Sequence, residues 1–163
     1  MNPQVLFRSL FVLTVLLGAA SATFSQQSPP ESDKAKEIVA LVEKAAALID
    51  AKGKAAFPEF KKKGSEWRTG DTYLFANDMK SIQLLNAASP EREGTDQSST
   101  KDANGKLITA ELIKAAQSSA GGGWVNYMWP KPGQTRPSQK WSYVKAVQVD
   151  GTPALVGAGF YPE

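Results

Sequence analysis

The apolar period changes partway along the chain, and that change restricts the fold more than any other feature. Between residues 33 and 51, Ile38, Leu41, Val42, Ala45, Leu48 and Ile49 fall on one stripe at helical spacing. Ser32 stands where a cap is needed, Asp33 and Glu37 favour the positive end, and Lys52-Gly53 closes the helix. Beyond Gly64, runs of β-branched and aromatic residues divided by turn signals take over. A helix with one apolar stripe must bury it against a second layer, and here that layer is a sheet.

The strand half reads in detail. Residues 72–76 form a strand, Asn77-Asp78 a turn, and residues 81–85 a returning partner. Residues 124–129 are a third strand, broken by Pro130-Lys131-Pro132-Gly133, and residues 139–149 are the longest. Asp150-Gly151 is a strong hairpin signal between that strand and residues 154–161. Two short helices complete the pattern. One spans residues 55–63, ends at Gly64 and buries Phe57 and Phe60. The other is capped by Thr109 and runs to residue 118, with Leu112, Ile113 and Ala116 inward and Gly121-Gly122-Gly123 ending it. Residues 86–104 hold most of the polar and turn residues and read as a surface excursion. The expected fold class is α+β: a long N-terminal helix on a five-stranded antiparallel sheet, without internal repeats.

The first 22 residues have the parts of a cleavable export signal in order. Arg8 supplies the charge, residues 10–17 the apolar stretch, and Ala20 and Ala22 the small-residue cleavage site. A spanning helix needs about 20 apolar residues, and this stretch is shorter. Cleavage leaves Thr23 as the new N-terminus, 141 of the 163 residues, and a periplasmic or secreted destination. Residues 23–31, polar with two prolines, read as a disordered spacer before one domain over residues 32–163.

Composition excludes several kinds of chemistry. With no histidine and no cysteine, the chain has no Ser-His-Asp triad and no thiolate or imidazole metal ligands. It must also fold without disulfides. Losing Arg8 from the 19 basic residues leaves them two ahead of the 16 acidic ones, too small a surplus for nucleic-acid binding. The run Lys61-Lys62-Lys63 reads as a solvated helix end. Residues 96–104 lack the spacing and terminal glutamate of a calcium loop. Gly121-Gly122-Gly123 lacks the Lys-Ser/Thr of a phosphate loop. No cofactor is expected, and no constellation of carboxylates, lysines and tyrosines points to an enzyme.

Several segments then carry a resemblance: Gly70-Asp71-Thr72-Tyr73-Leu74-Phe75 after Trp67; Asp102-Ala103-Asn104-Gly105-Lys106; Gly122-Gly123-Trp124-Val125-Asn126-Tyr127-Met128-Trp129-Pro130-Lys131-Pro132; Lys140-Trp141-Ser142-Tyr143-Val144; and Val156-Gly157-Ala158-Gly159-Phe160-Tyr161. In combination the chain resembles a single Cache domain of the second type, the extracytoplasmic sensor module of bacterial chemoreceptors and histidine kinases. The resemblance implies a PAS-like sheet with the long helix on one face. On the other it implies a pocket for a small metabolite, often a short carboxylate. Family members often carry a His-Pro pair after the second strand, where this chain has Asn86-Ala87; the usual ligand is left open by that departure. With no second span or signalling domain before Glu163, the expectation is a free-standing module that does not itself relay a signal.

Alternation puts Val125, Tyr127 and Trp129 on one face of their strand and Trp124, Asn126 and Met128 on the other. Both faces carry large rings, so both are covered. The candidate ligand-binding residues are Lys140 as the cation, Tyr73, Tyr127 and Tyr143 as hydroxyl donors, and Phe75 and Trp129 as walls. Each has a plainer reading as core aromatic or solvated lysine, and strict alternation sets Lys140 opposite Tyr143 unless a bulge intervenes. Arg136 is an outlying second cation. Trp67 and Trp141 read as packing residues, and Gly157 and Gly159 as sites of close backbone approach. Two functions follow. One is reversible binding of a small organic acid for sensing or for presentation to a membrane receptor or kinase. The other is an interaction protein that docks on such an ectodomain without a ligand.

Overall fold

The computed structural model describes residues 28–162. Residues 1–22, expected to be an export signal, and residues 23–27 of the expected spacer lie outside the described residues, and residues 28–32 carry no helix or strand.

Helix α1 (Asp33–Lys52) is capped as its sequence requires: the Ala35 N–H donates to Ser32 Oγ at 3.1 Å. It ends at Gly53, whose φ of 58° suits glycine. A Cβ there would also lie 1.7 Å from Asp150 Oδ1, so glycine lets the helix end meet the Asp150 turn. Ile38, Val42, Ala45 and Ile49 are fully covered, while Leu41 and Leu48 flank them at half-burial. Each large aliphatic side chain so buried contributes about 1.5–3 kcal/mol before ordering costs. A 3-10 turn (Gly53–Ala56) and one-turn helix α2 (Phe57–Phe60) follow, with Pro58 in the first turn. The Phe60 ring sits edge-on to Trp67 at 4.8 Å.

The sheet comprises β1 (Arg68–Thr69), β2 (Thr72–Asp78), β3 (Gln83–Asn86), β4 (Gly122–Pro130), β5 (Pro137–Val149) and β6 (Thr152–Phe160). It is antiparallel in the order β1-β2-β6-β5-β4, with β3 also on β2. Asp150 and Gly151 both have positive φ, 50° and 79°, the two-residue turn that matches the twist of a β5–β6 hairpin. Strand alternation makes two cores. Leu74, Ala76, Trp141, Val147, Val156 and Ala158 meet α1 and α2. Tyr73, Phe75, Tyr127, Val144 and Leu155 meet α3 (Ile108–Ala116) on the other face.

Several boundaries depart from the sequence reading, each for a local reason. β2 continues through Asn77 and Asp78, because the Asn77 side chain is satisfied inside by Gln83. The turn falls later, where Asp78 Oδ1 accepts the N–H groups of Lys80 and Ile82. Thr109 does not cap α3; it is buried in the first turn, and the Ile108 N–H is taken by the Thr100 carbonyl. α3 ends at Ala116, and Gly122 and Gly123 belong to β4. A Cβ on Gly122 would lie 2.6 Å from the Val144 carbonyl oxygen.

Residues 87–107 are no mere surface excursion. They fold back along β3, with Gly94 N–H donating to the Gln83 carbonyl and Gln97 N–H to that of Ser81. They also close the free edge of β4, as edge strands require. The Met128 N–H donates to Asp102 Oδ2 at 3.0 Å, and Lys106 Nζ donates to the Asn126 carbonyl at 2.5 Å. Burial works against the Asp102 charge, but backbone N–H groups of Met128, Lys106 and Asn104 outweigh it and hold the carboxyl below its ordinary 3.8. A carboxyl held low in the folded state adds stability above the unfolded value, and that stability is lost as pH falls through the folded value. Asp102→Asn is therefore expected to flatten the acid limb of a melting-temperature profile below about pH 4. An unchanged acid limb would contradict the latch.

Candidate ligand-binding site

Between the α3 face of the sheet and the folded-back loop lies a small cavity. Its floor is Tyr73, Phe75 and Asn77 of β2 with Tyr127 and Trp129 of β4. Its roof is Arg92, Gln97 and Thr100 of the loop, and its apolar end is Ile108 and Leu112 of α3. The free volume is about 40 Å³. Since one water needs about 10–15 Å³, this suits a ligand of only a few heavy atoms.

Arg92 dominates the electrostatics. Its Nη2 donates to Gln97 Oε1, and its guanidinium carbon lies 5.1 Å from the Trp129 ring centre. Thr100 Oγ1 donates to the same Gln97 oxygen at 2.9 Å, and Gln97 Nε2 donates to Thr95 Oγ1, so the roof is cross-braced. No carboxylate among the described residues pairs with Arg92. Its Nε is the one buried side-chain polar atom among the described residues without a hydrogen-bond partner. A guanidinium offers five donors and no acceptor, so only an acceptor completes it.

The opposite wall is a buried amide chain. Gln83 Nε2 donates to Asn77 Oδ1 at 3.3 Å, and Asn86 Nδ2 donates to Gln83 Oε1 at 3.4 Å. Asn86 Oδ1 in turn accepts from the Ala88 and Ser89 N–H groups. Asn86 thus braces the chain after β3.

The structure brings four of the six sequence candidates, Tyr73, Phe75, Tyr127 and Trp129, to the cavity wall. Lys140 lies behind it, 1% exposed, and its Nζ donates to the Tyr73 hydroxyl at 2.9 Å. The ammonium also lies 4.1 Å from the Tyr73 ring centre, 5.4 Å from Tyr161 and 5.8 Å from Phe75. Burial works against its charge, yet Tyr127, Tyr73 with its hydrogen bond, and the Asp71 carboxylate together outweigh this and hold the Lys140 pKa above its ordinary value. Burial pushes the phenols of Tyr127 and Tyr161 upward, so both remain protonated. The Tyr127 and Ser142 hydroxyls are hydrogen-bonded at 2.9 Å.

Tyr143 is not brought together with the others. No bulge interrupts β5 opposite β4, so Tyr143 faces α1 and stacks edge-on against Trp124 at 5.3 Å. Burial, and then Glu43, push its pKa up. Arg136 is exposed in the β4–β5 connection, and Trp67 and Trp141 pack in the α1 core. Arg92, Gln97, Asn77 and Thr109 are cavity residues that sequence reasoning passed over.

Similarity to known proteins agrees with this architecture. Over 91 residues the chain is 32% identical to the methyl-accepting chemotaxis protein McpP of Pseudomonas putida, covering 56% of this chain and 16% of that receptor. The chain therefore spans less than a fifth of that relative's length. A periplasmic sensor domain of a chemotaxis protein superposes with a TM-score of 0.65 at 30% identity, covering 80% of this chain and 95% of that one. A structure reported as the basis for carboxylic acid recognition by a Cache chemosensory domain gives 0.67 at 28% identity, covering 80% and 94%. Residues 31–163 match the family described as Single Cache domain 2, and with the helix-on-sheet fold and its loop-roofed cavity the chain belongs to that family of ligand-sensing domains.

Proposed function

We propose that this domain binds a short monocarboxylate reversibly, outside the cytoplasm, with Arg92 as the principal anion contact. The observation that carries the reading is a guanidinium at a small cavity, with a buried unpartnered Nε and no carboxylate of its own. A charge-assisted hydrogen bond to a carboxylate satisfies that donor. Tyr73 and Tyr127 supply phenols, Trp129 and Phe75 exclude water, and a cavity of about 40 Å³ favours acids of two or three carbons. The carboxylic acid recognition reported for a similar Cache domain supports the same ligand class. Arg8, the apolar residues 10–17 and Ala20 and Ala22 support export to the periplasm or beyond.

The domain acts in this reading as a sensor or presenter to a membrane receptor or kinase, without turnover. Ligand-free docking on such an ectodomain has less support: among the described residues, Leu107 is the sole exposed large apolar side chain. A thermal-shift screen of carboxylates, amino acids, amines and purines separates the two. A ligand at 100 times its dissociation constant adds about 2.7 kcal/mol, a shift of roughly 10 °C for a domain this size. Short acids are expected to give that shift. No shift with any compound, in protein free of co-purified ligand, would move the reading to docking.

A further inference from the structure

Lys140 is the most thoroughly buried cation among the described residues, and no carboxylate there lies within ion-pair distance of it or of Arg92; Asp71 acts on Lys140 from farther off and is itself paired with Lys131. Burying a charge without a counter-charge is expensive. Three aromatic rings and one phenol oxygen surround the ammonium, and they offset that cost only in part. Lys140 stands directly across from Tyr127 in the β4–β5 register, yet it is not a wall of the cavity.

We propose that Lys140 is a positioning residue: it acts on an anion in the cavity through Tyr73, without touching it. An ammonium has three donors and no acceptor. In the Lys140–Tyr73 contact the phenol oxygen must therefore accept, which leaves the phenolic proton for another acceptor; the Tyr161 phenol, which donates to the Pro130 carbonyl, is the neighbour that takes it in the free protein. Tyr73 itself forms cavity wall. A carboxylate there, a stronger acceptor than the Tyr161 phenol, draws the Tyr73 hydrogen bond to itself, and the cation behind Tyr73 strengthens it, since linked hydrogen bonds polarise one another. The anion in turn adds negative charge beyond what Asp71 supplies to Lys140 from farther off. Lys140 thereby sets selectivity for charged over neutral ligands of the same shape.

The proposal rests on the carboxylate reading, and a double-mutant cycle tests it separately. Propionate and its neutral isostere propionamide are titrated by calorimetry into wild type, Lys140→Met, Tyr73→Phe and the double variant. Lys140→Met is expected to weaken propionate about tenfold, as for one charged hydrogen bond, and to lower the propionate-to-propionamide ratio. In the Tyr73→Phe background the same change should cost under about threefold, because the route is already cut. Equal losses in both backgrounds would mean that Lys140 acts independently of Tyr73 and would overturn the proposal. So would a loss shared equally by acid and amide, the mark of a purely structural role. If Lys140→Met does not fold, Lys140→Gln carries the same expectations. A wild type that binds no short acid would remove the carboxylate reading and this proposal together, whereas binding with an additive cycle would remove only the proposal.

Discussion

Arg92→Gln is expected to weaken the binding of acetate or propionate by roughly 10- to 150-fold, the range for losing a charged hydrogen bond of about 1.5–3 kcal/mol. The same change should leave the melting temperature of the free protein nearly unmoved. Arg92 makes one side-chain hydrogen bond, to Gln97, lies over the Trp129 ring and carries one unpartnered buried donor, so the relief of that donor offsets most of what its removal breaks. Arg92→Lys should fall between, since an ammonium keeps the charge but loses the planar fork that fits a carboxylate. Calorimetric titration and thermal melting of the three proteins check this. A large stability loss with unchanged affinity would make Arg92 a brace for the roof instead of an anion contact.

Gly159→Ala carries the largest expected effect on folding. Gly159 lies in the central strand β6, and a Cβ there would sit 2.4 Å from the Trp141 carbonyl oxygen, 2.5 Å from Ser142 Oγ and 2.9 Å from Lys140 Cε. The first of these is backbone in the neighbouring strand and cannot swing aside. Overpacking of this kind costs about 1–3 kcal/mol and sometimes more. At roughly 4 °C per kcal/mol, the melting temperature should fall by about 4–12 °C. Because the clash lies beside Lys140 and Ser142, ligand affinity should fall with it. Thermal melting gives the answer directly, and a variant as stable as wild type would show that the strands do not pack as closely as described.

The fold was largely legible in the sequence, because its strongest signals are short-range and repeat along the chain. The α1 stripe, the Ser32 cap, the Asp150-Gly151 turn and the tight strand glycines each reflect a local requirement, and each is met. The cavity was only half legible. Tyr73, Phe75, Tyr127 and Trp129 lie on strands, where period-2 alternation assigns a face. Arg92, Gln97 and Thr100 lie on a polar loop, where no period tells an inward side chain from a solvated one. The hydrogen bonds that fold that loop over the sheet join residues apart in sequence, such as Gln97 to Ser81 and Asp102 to Met128. Alternation separated Lys140 from Tyr143 without saying which of them faced the cavity, and the reach of Lys140 to Tyr73, 67 residues away in sequence, left no local trace. Tyr143 followed strict alternation to the α1 face, which the absence of a bulge in β5 explains.

The most direct test of the central claim is a calorimetric titration of propionate into the protein, run beside propionamide and repeated on Arg92→Gln. The account predicts saturable one-site binding of propionate to wild type, no comparable binding of propionamide, and loss of most of the propionate affinity in the variant. Equal binding of the amide, or propionate binding that survives intact without Arg92, would contradict it.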